Sequence, residues 1–398
     1  MSDISVEKVE ILKGLNTPCY VIDEQRLVYN GEILKDVAAK SGARILLAQK
    51  AFSNYDFYPL LSKYIAGTEA SGLYEARLGA EYMPDGENHV FCAAYKDEDF
   101  DEVLKYSNHI VFNSVAQLRK FGYKAKLCGK SIGLRINPEC STQEGHAIYD
   151  PCSSQSRLGV TRSEFNRQMN DELIGLIDGL HFHTLCEQNA DSLEITLQAV
   201  EQKYGDILSL DNIRWINMGG GHHITRENYN RDLLIQLIIN IKAKYKLDNA
   251  YLEPGEAVAL NAGYLVTEVL DIVNNGNNKI AIIDASAACH MPDVIEMPYL
   301  PPLLGAIAVE NQAECGSNEY ILAGPTCLAG DSVGKYIFEN ELHIGDKLIF
   351  KDMAIYTTVK NNTFNGMKLP SIYSLGSDMQ VNLIKSFDYD DFRERLGK

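Results

Sequence analysis

Eight short apolar runs, each separated from the next by a stretch with helical spacing, fill the first two-thirds of the sequence and constrain the fold more than any other feature. The candidate strands are 43–50, 64–68, 89–93, 109–112, 131–136, 178–183, 213–217 and 249–253. Between them, segments such as 72–82, 97–106, 114–121, 190–204 and 230–244 place apolar residues three and four apart, the spacing of amphipathic helices. Strands alternating with helices indicate an α/β fold with parallel strands, and eight is the number that closes a barrel. The expected architecture is a (β/α)8 TIM-like barrel.

After about residue 262 the texture changes. Segments 263–274, 279–285, 319–322, 346–350 and 367–373 read as strands separated by turns such as Asn-Asn-Gly-Asn-Asn at 274–278, without long helical patterns. These predict a second, mostly β domain. The boundaries expected are 24–262 for the barrel and 263–398 for the β domain. Residues 17–23, with the apolar Cys-Tyr-Val-Ile before Asp23, are expected to add a strand to that domain, so that 1–23 belongs with it.

The net charge of −17 argues against nucleic acid or an anionic membrane as partner and suits a cationic ligand. No apolar run approaches the roughly 18 residues of a membrane span, and the first residues carry no signal-peptide core. Nine scattered cysteines without C-x-x-C pairing fit free thiols in a reducing compartment. A cytoplasmic protein without a metal centre is expected.

Polar residues recur where the candidate strands end: Lys50, Glu69, Asn113, Arg135, His183, Gly219 to Gly221 and Glu253. A barrel gathers its chemistry at that end, because the loops that follow the strands converge on one face. Lys50 there would be partly desolvated, which favours a nucleophilic neutral amine, although an isolated strand-end lysine is more often simply solvated. His181 and His183 share a strand face, and an imidazole there could stack on a flat ring. Gly219-Gly220-Gly221 could offer backbone N–H groups to a phosphate or serve only a tight turn. Glu253-Pro254-Gly255 reads either as a β-turn or as a carboxylate opposite a pyridine nitrogen. In the second domain, Cys327 lies in a turn-rich segment with Asp331, and Tyr356 offers a phenol; each has a buried structural role as its alternative.

Together these motifs resemble the fold-type III decarboxylases that use pyridoxal 5′-phosphate (PLP), a group that includes ornithine and diaminopimelate decarboxylases and shares its barrel with alanine racemase. The resemblance runs from Thr-Pro-Cys-Tyr-Val-Ile-Asp at 17–23 to Phe-Asn-Gly at 364–366. Within the group, His-Thr-Leu-Cys-Glu-Gln at 183–188, Glu-Pro-Gly-Glu at 253–256 and Ala-Ala-Cys-His-Met-Pro-Asp-Val-Ile-Glu-Met-Pro-Tyr at 287–299 are most similar to the carboxynorspermidine and carboxyspermidine decarboxylases. The resemblance implies an alanine racemase-like barrel with Lys50 as the Schiff-base lysine and His183 stacked on the cofactor ring. It implies Glu253 at the pyridine nitrogen, Gly219, Gly220, Gly221 and Tyr356 at the phosphate, and Glu69 and Arg135 in support. Cys327 would act in a neighbouring subunit's active site, giving a homodimer with shared sites.

Two positions depart from the ornithine and diaminopimelate pattern: Glu256 stands where those relatives have a phosphate-binding arginine, and Cys186 replaces a serine. A carboxylate beside a phosphate is repelled, so Glu256 is expected to face a cation instead. Glu256 and Asp293, with Asp331 or Glu296 as further candidates, are therefore expected to bind the ammonium groups of a small carboxylated polyamine. The alternatives are a decarboxylase of another amino acid, an amino-acid racemase, and a non-catalytic PLP-binding protein.

Overall fold

The computed structural model describes residues 4–143, 150–309 and 318–397, so Cys315 lies outside the described residues. The chain divides into two compact units, one spanning Val28–Val258 and the other made of the residues through Leu27 together with those from Ala259 onward. The first strand, β1 (Cys19–Asp23), belongs to the second of these units.

The Val28–Val258 unit is the barrel expected from the alternating pattern. Its strands are β2 (Ala43–Ala48), β3 (Gly67–Ala70), β4 (Glu87–Cys92), β5 (His109–Phe112), β6 (Ser131–Arg135), β7 (Gly179–His181), β8 (Trp215–Asn217) and β9 (Asn249–Leu252). Each pairs in parallel with the next, and β9 closes on β2 with Ala250 opposite Ala43. The third strand begins later than expected. The backbone N–H groups of Tyr64 and Ile65 bond back to the carbonyl of Leu61, so those residues finish a helical turn before Gly67 starts the strand.

The barrel interior is filled rather than hollow. Leu46, Val111, Trp215 and Tyr251 form one buried cluster. The indole fits because β6 and β7 present Gly133 and Gly179 to it, and a Cβ at Gly179 would lie 2.1 Å from the Trp215 ring. At the N-terminal ends of the strands Glu87 meets the guanidinium of Arg44 at 2.5 Å and the imidazole of His89 at 3.1 Å, and His89 stacks on His109 at 3.9 Å. Glu87, His89 and His109 are close enough to hold a metal ion; Arg44 engages Glu87 Oε1, and Oε2 faces the two imidazoles, which pack against Trp215 and Tyr251.

The other unit is a nine-stranded sheet. Beyond β1 its strands are β10 (Gly263–Asn275), β11 (Asn278–Ile283), β12 (Ala306–Ala308), β13 (Glu319–Ala323), β14 (Ser332–Phe338), β15 (Lys347–Lys351), β16 (Ser371–Leu375) and β17 (Val381–Lys385). The order is β12-β14-β13-β11-β10-β1-β16-β17, with β15 paired to β10. The thirteen-residue β10 serves both halves: residues 264–268 pair with β15, a bulge follows between Val269 and Asp271, and residues beyond it pair with β11. The N-terminal segment supplies a strand, as expected, with Cys19 antiparallel to Val266 and parallel to Ser371. Leu12, Cys19, Val21, Tyr264, Val266, Ile349 and Leu375 form the core there. Strand β14 was not expected, because Gly334 and Lys335 interrupt its apolar run; it pairs along β13 with Tyr336 opposite Tyr320. Among the described residues all eight cysteines are free, and no helix is long and apolar enough to cross a membrane.

Candidate active site

Lys50 sits in the turn two residues beyond β2. Its neighbour Gln49 is fully buried and anchors that turn. The Gln49 backbone N–H donates to Glu69 O (3.1 Å), its side-chain amide donates to Glu75 O (2.9 Å), and its Oε1 accepts from the Tyr58 hydroxyl (3.0 Å). Lys50 itself is exposed, so the partial desolvation expected from the sequence is not met in the single chain. The barrel loops leave the end of this side chain to solvent, while the turn beneath it is held rigidly.

Two buried carboxyls flank this end of the barrel and are shifted in opposite directions. Glu253, one residue past β9, accepts from Asn217 Nδ2 at 2.6 Å and lies 3.1 Å from His181 Nε2. Burial alone would raise its pKa, but His181 and Asn217 outweigh that and bring it down to about 2. Glu69 goes the other way: burial first, and then repulsion from Glu253, push it well above the usual carboxylate range against the pull of Lys50 and Arg135. The two carboxyls are therefore shifted in opposite directions, Glu253 down and Glu69 up. Arg135 is buried at the end of β6, 4.5 Å from the Phe91 ring; burial lowers it to about 10, still charged at neutral pH.

Asn217, which the sequence analysis did not single out, connects this carboxylate to the glycines. Its Oδ1 accepts from Gly219 N–H at 2.9 Å while its amide holds Glu253. The only signal was its place, the last residue of a strand just before a glycine run. Gly219 and Gly221 adopt left-handed φ values of 66° and 81°, which glycine tolerates best. At Gly220 a Cβ would lie 2.4 Å from Glu253 O and 3.2 Å from His183 Cε1, so no side chain fits. The Gly220 N–H donates to His183 Nδ1 at 3.0 Å. That bond requires an unprotonated Nδ1, and burial together with Lys50 and Arg135 holds the imidazole well below the usual histidine range. His183 is a neutral, oriented ring.

Glu256 was expected to face a cation; within the chain its neighbour is an imidazole, with His223 Nε2 3.0 Å away. Glu187, at a left-handed φ of 54°, completes the group, 3.8 Å from the same nitrogen and 3.4 Å from Arg226. Glu187 is raised by burial and by Glu256.

In the sheet unit the candidates separate. Asp331 is buried and accepts from Ser286 Oγ (2.9 Å), Thr326 Oγ1 (2.6 Å) and Ala288 N–H (3.2 Å). Its carboxylate braces the turn that carries Cys327, so the expected role as an ammonium ligand gives way to a structural one. Cys327 is exposed, and its N–H donates to Asn365 Oδ1 at 2.8 Å. Asp293 and Glu296 both accept from Lys360, whose ammonium lies 5.8 Å from the Tyr356 ring centroid.

An exposed amine, a neutral planar imidazole, a buried ionised carboxylate and a glycine cradle at one end of a closed barrel define a site for a planar, phosphorylated cofactor. The family model described as pyridoxal-dependent decarboxylase, C-terminal sheet domain, matches residues 19–354, and the chain belongs to that family. A carboxynorspermidine/carboxyspermidine decarboxylase of Campylobacter jejuni is 42% identical over 96% of this chain and 98% of its own length. A carboxyaminopropylagmatine decarboxylase of Synechocystis is 36% identical over the full length of both. Among solved structures, carboxynorspermidine decarboxylase from Campylobacter jejuni, complexed with norspermidine, superposes with a TM-score of 0.88 at 41% identity, covering 96% of this chain and all of that one. The cofactor of the family is PLP, and the residues fit it: Glu253 is an ionised acceptor for a protonated ring nitrogen, and His183 is a neutral ring held in one orientation.

Proposed function

We propose that this enzyme decarboxylates carboxynorspermidine or carboxyspermidine, releasing carbon dioxide and norspermidine or spermidine. Full-length kinship with a decarboxylase of those substrates supports the substrate class. The observation that carries the direction of chemistry is Glu253, buried and ionised by His181 and Asn217.

Bound PLP supplies an electron sink for the electron pair left when the bond from Cα to the carboxylate breaks. In this reading the Lys50 amine would hold the cofactor. Glu253 keeps the ring nitrogen protonated, which deepens the sink and favours decarboxylation over racemisation. His183 presents a neutral face that packs on the ring without opposing that charge. The Gly219–Gly221 turn, free of side chains, and the Tyr356 hydroxyl would border the phosphate, with the Gly219 and Gly220 N–H groups already engaged by Asn217 and His183, and Glu69 and Arg135 support Lys50 and the ring. The Cys327 thiol delivers a proton to Cα from a neighbouring subunit, so the working assembly is a homodimer with shared sites. Asp293 and Glu256 bind the distal ammonium groups of the substrate.

Carbon dioxide release measured in parallel from carboxynorspermidine, carboxyspermidine, carboxyaminopropylagmatine and meso-diaminopimelate tests the assignment. The two carboxylated triamines are expected to give the highest kcat/KM; preference for diaminopimelate would overturn it. Asp293→Asn is expected to raise KM far more than it alters cofactor content.

A further inference from the structure

Asn217, Gly219 and Glu253 close a triangle of hydrogen bonds. Asn217 Nδ2 donates to Glu253 Oε1 (2.6 Å), the Glu253 backbone N–H donates to Gly219 O (2.8 Å), and the Gly219 N–H donates to Asn217 Oδ1 (2.9 Å). Asn217 ends β8 and is fully buried, so its amide has no solvent to turn toward. Its orientation is forced as well, since an ionised carboxylate only accepts and a backbone N–H only donates. Glu253 is fixed twice, through its backbone by Gly219 and through Oε1 by Asn217, while His181 Nε2 lies 3.1 Å from Oε2. Gly219 is held at both its N–H and its carbonyl. The next glycine extends the link to the ring face, where its N–H donates to His183 Nδ1 at 3.0 Å. The turn also lies hard against its neighbours: a Cβ at Gly219 would meet Phe182 O at 2.5 Å, and one at Gly221 would meet Leu185 O at 2.0 Å. It has no slack to shift alone.

We propose that Asn217 is a positioning residue that couples the two ends of the cofactor site. It holds the carboxylate that meets the ring nitrogen in register with the glycine turn that borders the phosphate. A planar, rigid ligand must satisfy both ends at once. When carboxylate and turn move as one body, binding at one end spends nothing on ordering the other. This inference rests on the reading of Glu253 and the glycine turn as the ring-nitrogen and phosphate contacts, and extends it by naming the residue that joins them. Asn217 acts through Glu253 and Gly219 and has no part in proton transfer.

The test is cofactor affinity, measured by titrating the full-length, cofactor-free enzyme with PLP and with pyridoxal, which lacks the phosphate. The ratio of the two Kd values reports the phosphate end. Asn217→Ala is expected to weaken PLP binding roughly tenfold or more and to lower the preference for PLP over pyridoxal roughly threefold or more. Glu253→Gln, made in both backgrounds, reads the coupling: its cost in PLP affinity should be roughly threefold smaller or less once Asn217 is replaced. A residue that only fills the barrel would lower the melting temperature and leave the phosphate preference where it was. Thermal unfolding by circular dichroism accompanies each variant; if Asn217→Ala does not fold, Asn217→Ser takes its place. Unchanged PLP affinity and unchanged phosphate preference in a folded Asn217 variant overturn the proposal. Glu253→Gln and the wild type separate the two possible failures. If Glu253→Gln lowers PLP affinity or kcat while the Asn217 variant is silent, only the role of Asn217 is wrong. If Glu253→Gln changes neither, or the wild type binds pyridoxal as tightly as PLP, the reading of the site falls and takes the role of Asn217 with it.

Discussion

Replacing Glu253 by Gln removes one negative charge from the barrel with little change in volume, and its cost follows from the structure. Its partners hold the carboxyl below its ordinary range against burial, which stabilises the charged form. The bonds give the scale: hydrogen bonds to a charged acceptor, here from Asn217 and His181, contribute about 1.5–3 kcal/mol each. Gln keeps one acceptor oxygen, so Glu253→Gln should cost about 2–3 kcal/mol. Glu69→Gln is the control. Its carboxyl is pushed up rather than down, so a neutral amide there should cost less than at Glu253. Trp215 is the only tryptophan and lies in the barrel core, so urea unfolding of the cofactor-free enzyme followed by its fluorescence reports the barrel unit alone. The pH dependence has a fixed sign. A carboxyl whose folded pKa is depressed contributes fully above its unfolded value and loses the contribution as pH falls through the folded one. The gap between wild type and Glu253→Gln should therefore hold above about 4.5 and narrow on acidification toward about 2. Equal stability of the two proteins at neutral pH, or an equal loss in Glu69→Gln, would refute the assignment of the charge to Glu253.

Three further outcomes are expected. Gly179→Ala places a methyl 2.1 Å from the Trp215 ring and should destabilise the barrel by about 1–3 kcal/mol, visible in the same fluorescence transition; Trp215→Phe in that background, followed by circular dichroism because it removes the one tryptophan, should recover part of the loss. Borohydride reduction of the holoenzyme followed by peptide mass analysis should find the cofactor on Lys50, and Lys50→Ala should carry no label there. Mixing inactive Lys50→Ala and Cys327→Ala chains should restore roughly a quarter of the wild-type activity if each site draws on two subunits; sites completed within one chain would leave the mixture inactive.

The barrel was legible because its signals are local. A strand needs only a short apolar run and a helix only its three- and four-residue spacing, so all eight barrel strands and the strand-end positions of Lys50, His183 and Glu253 could be read along the chain. Where local signals conflict, the reading slipped: Tyr64 and Ile65 look extended but complete a helical turn, and Gly334 and Lys335 obscure β14.

What the sequence by itself determined was therefore which residues reach the end of the barrel. Tertiary structure alone decided which of them are paired and charged. Asn217 and Glu253 lie 36 positions apart, Glu256 and His223 33, and Asp293 and Lys360 67. Burial and a partner a few ångströms away set whether a carboxyl is ionised. Glu253 and Glu69 are thus shifted in opposite directions despite identical side chains, Asp331 is a brace where Asp293 is paired with a lysine, and Glu256 answers to a histidine no local pattern connects to it. Those outcomes depend on long-range packing, which spacing along the chain does not encode.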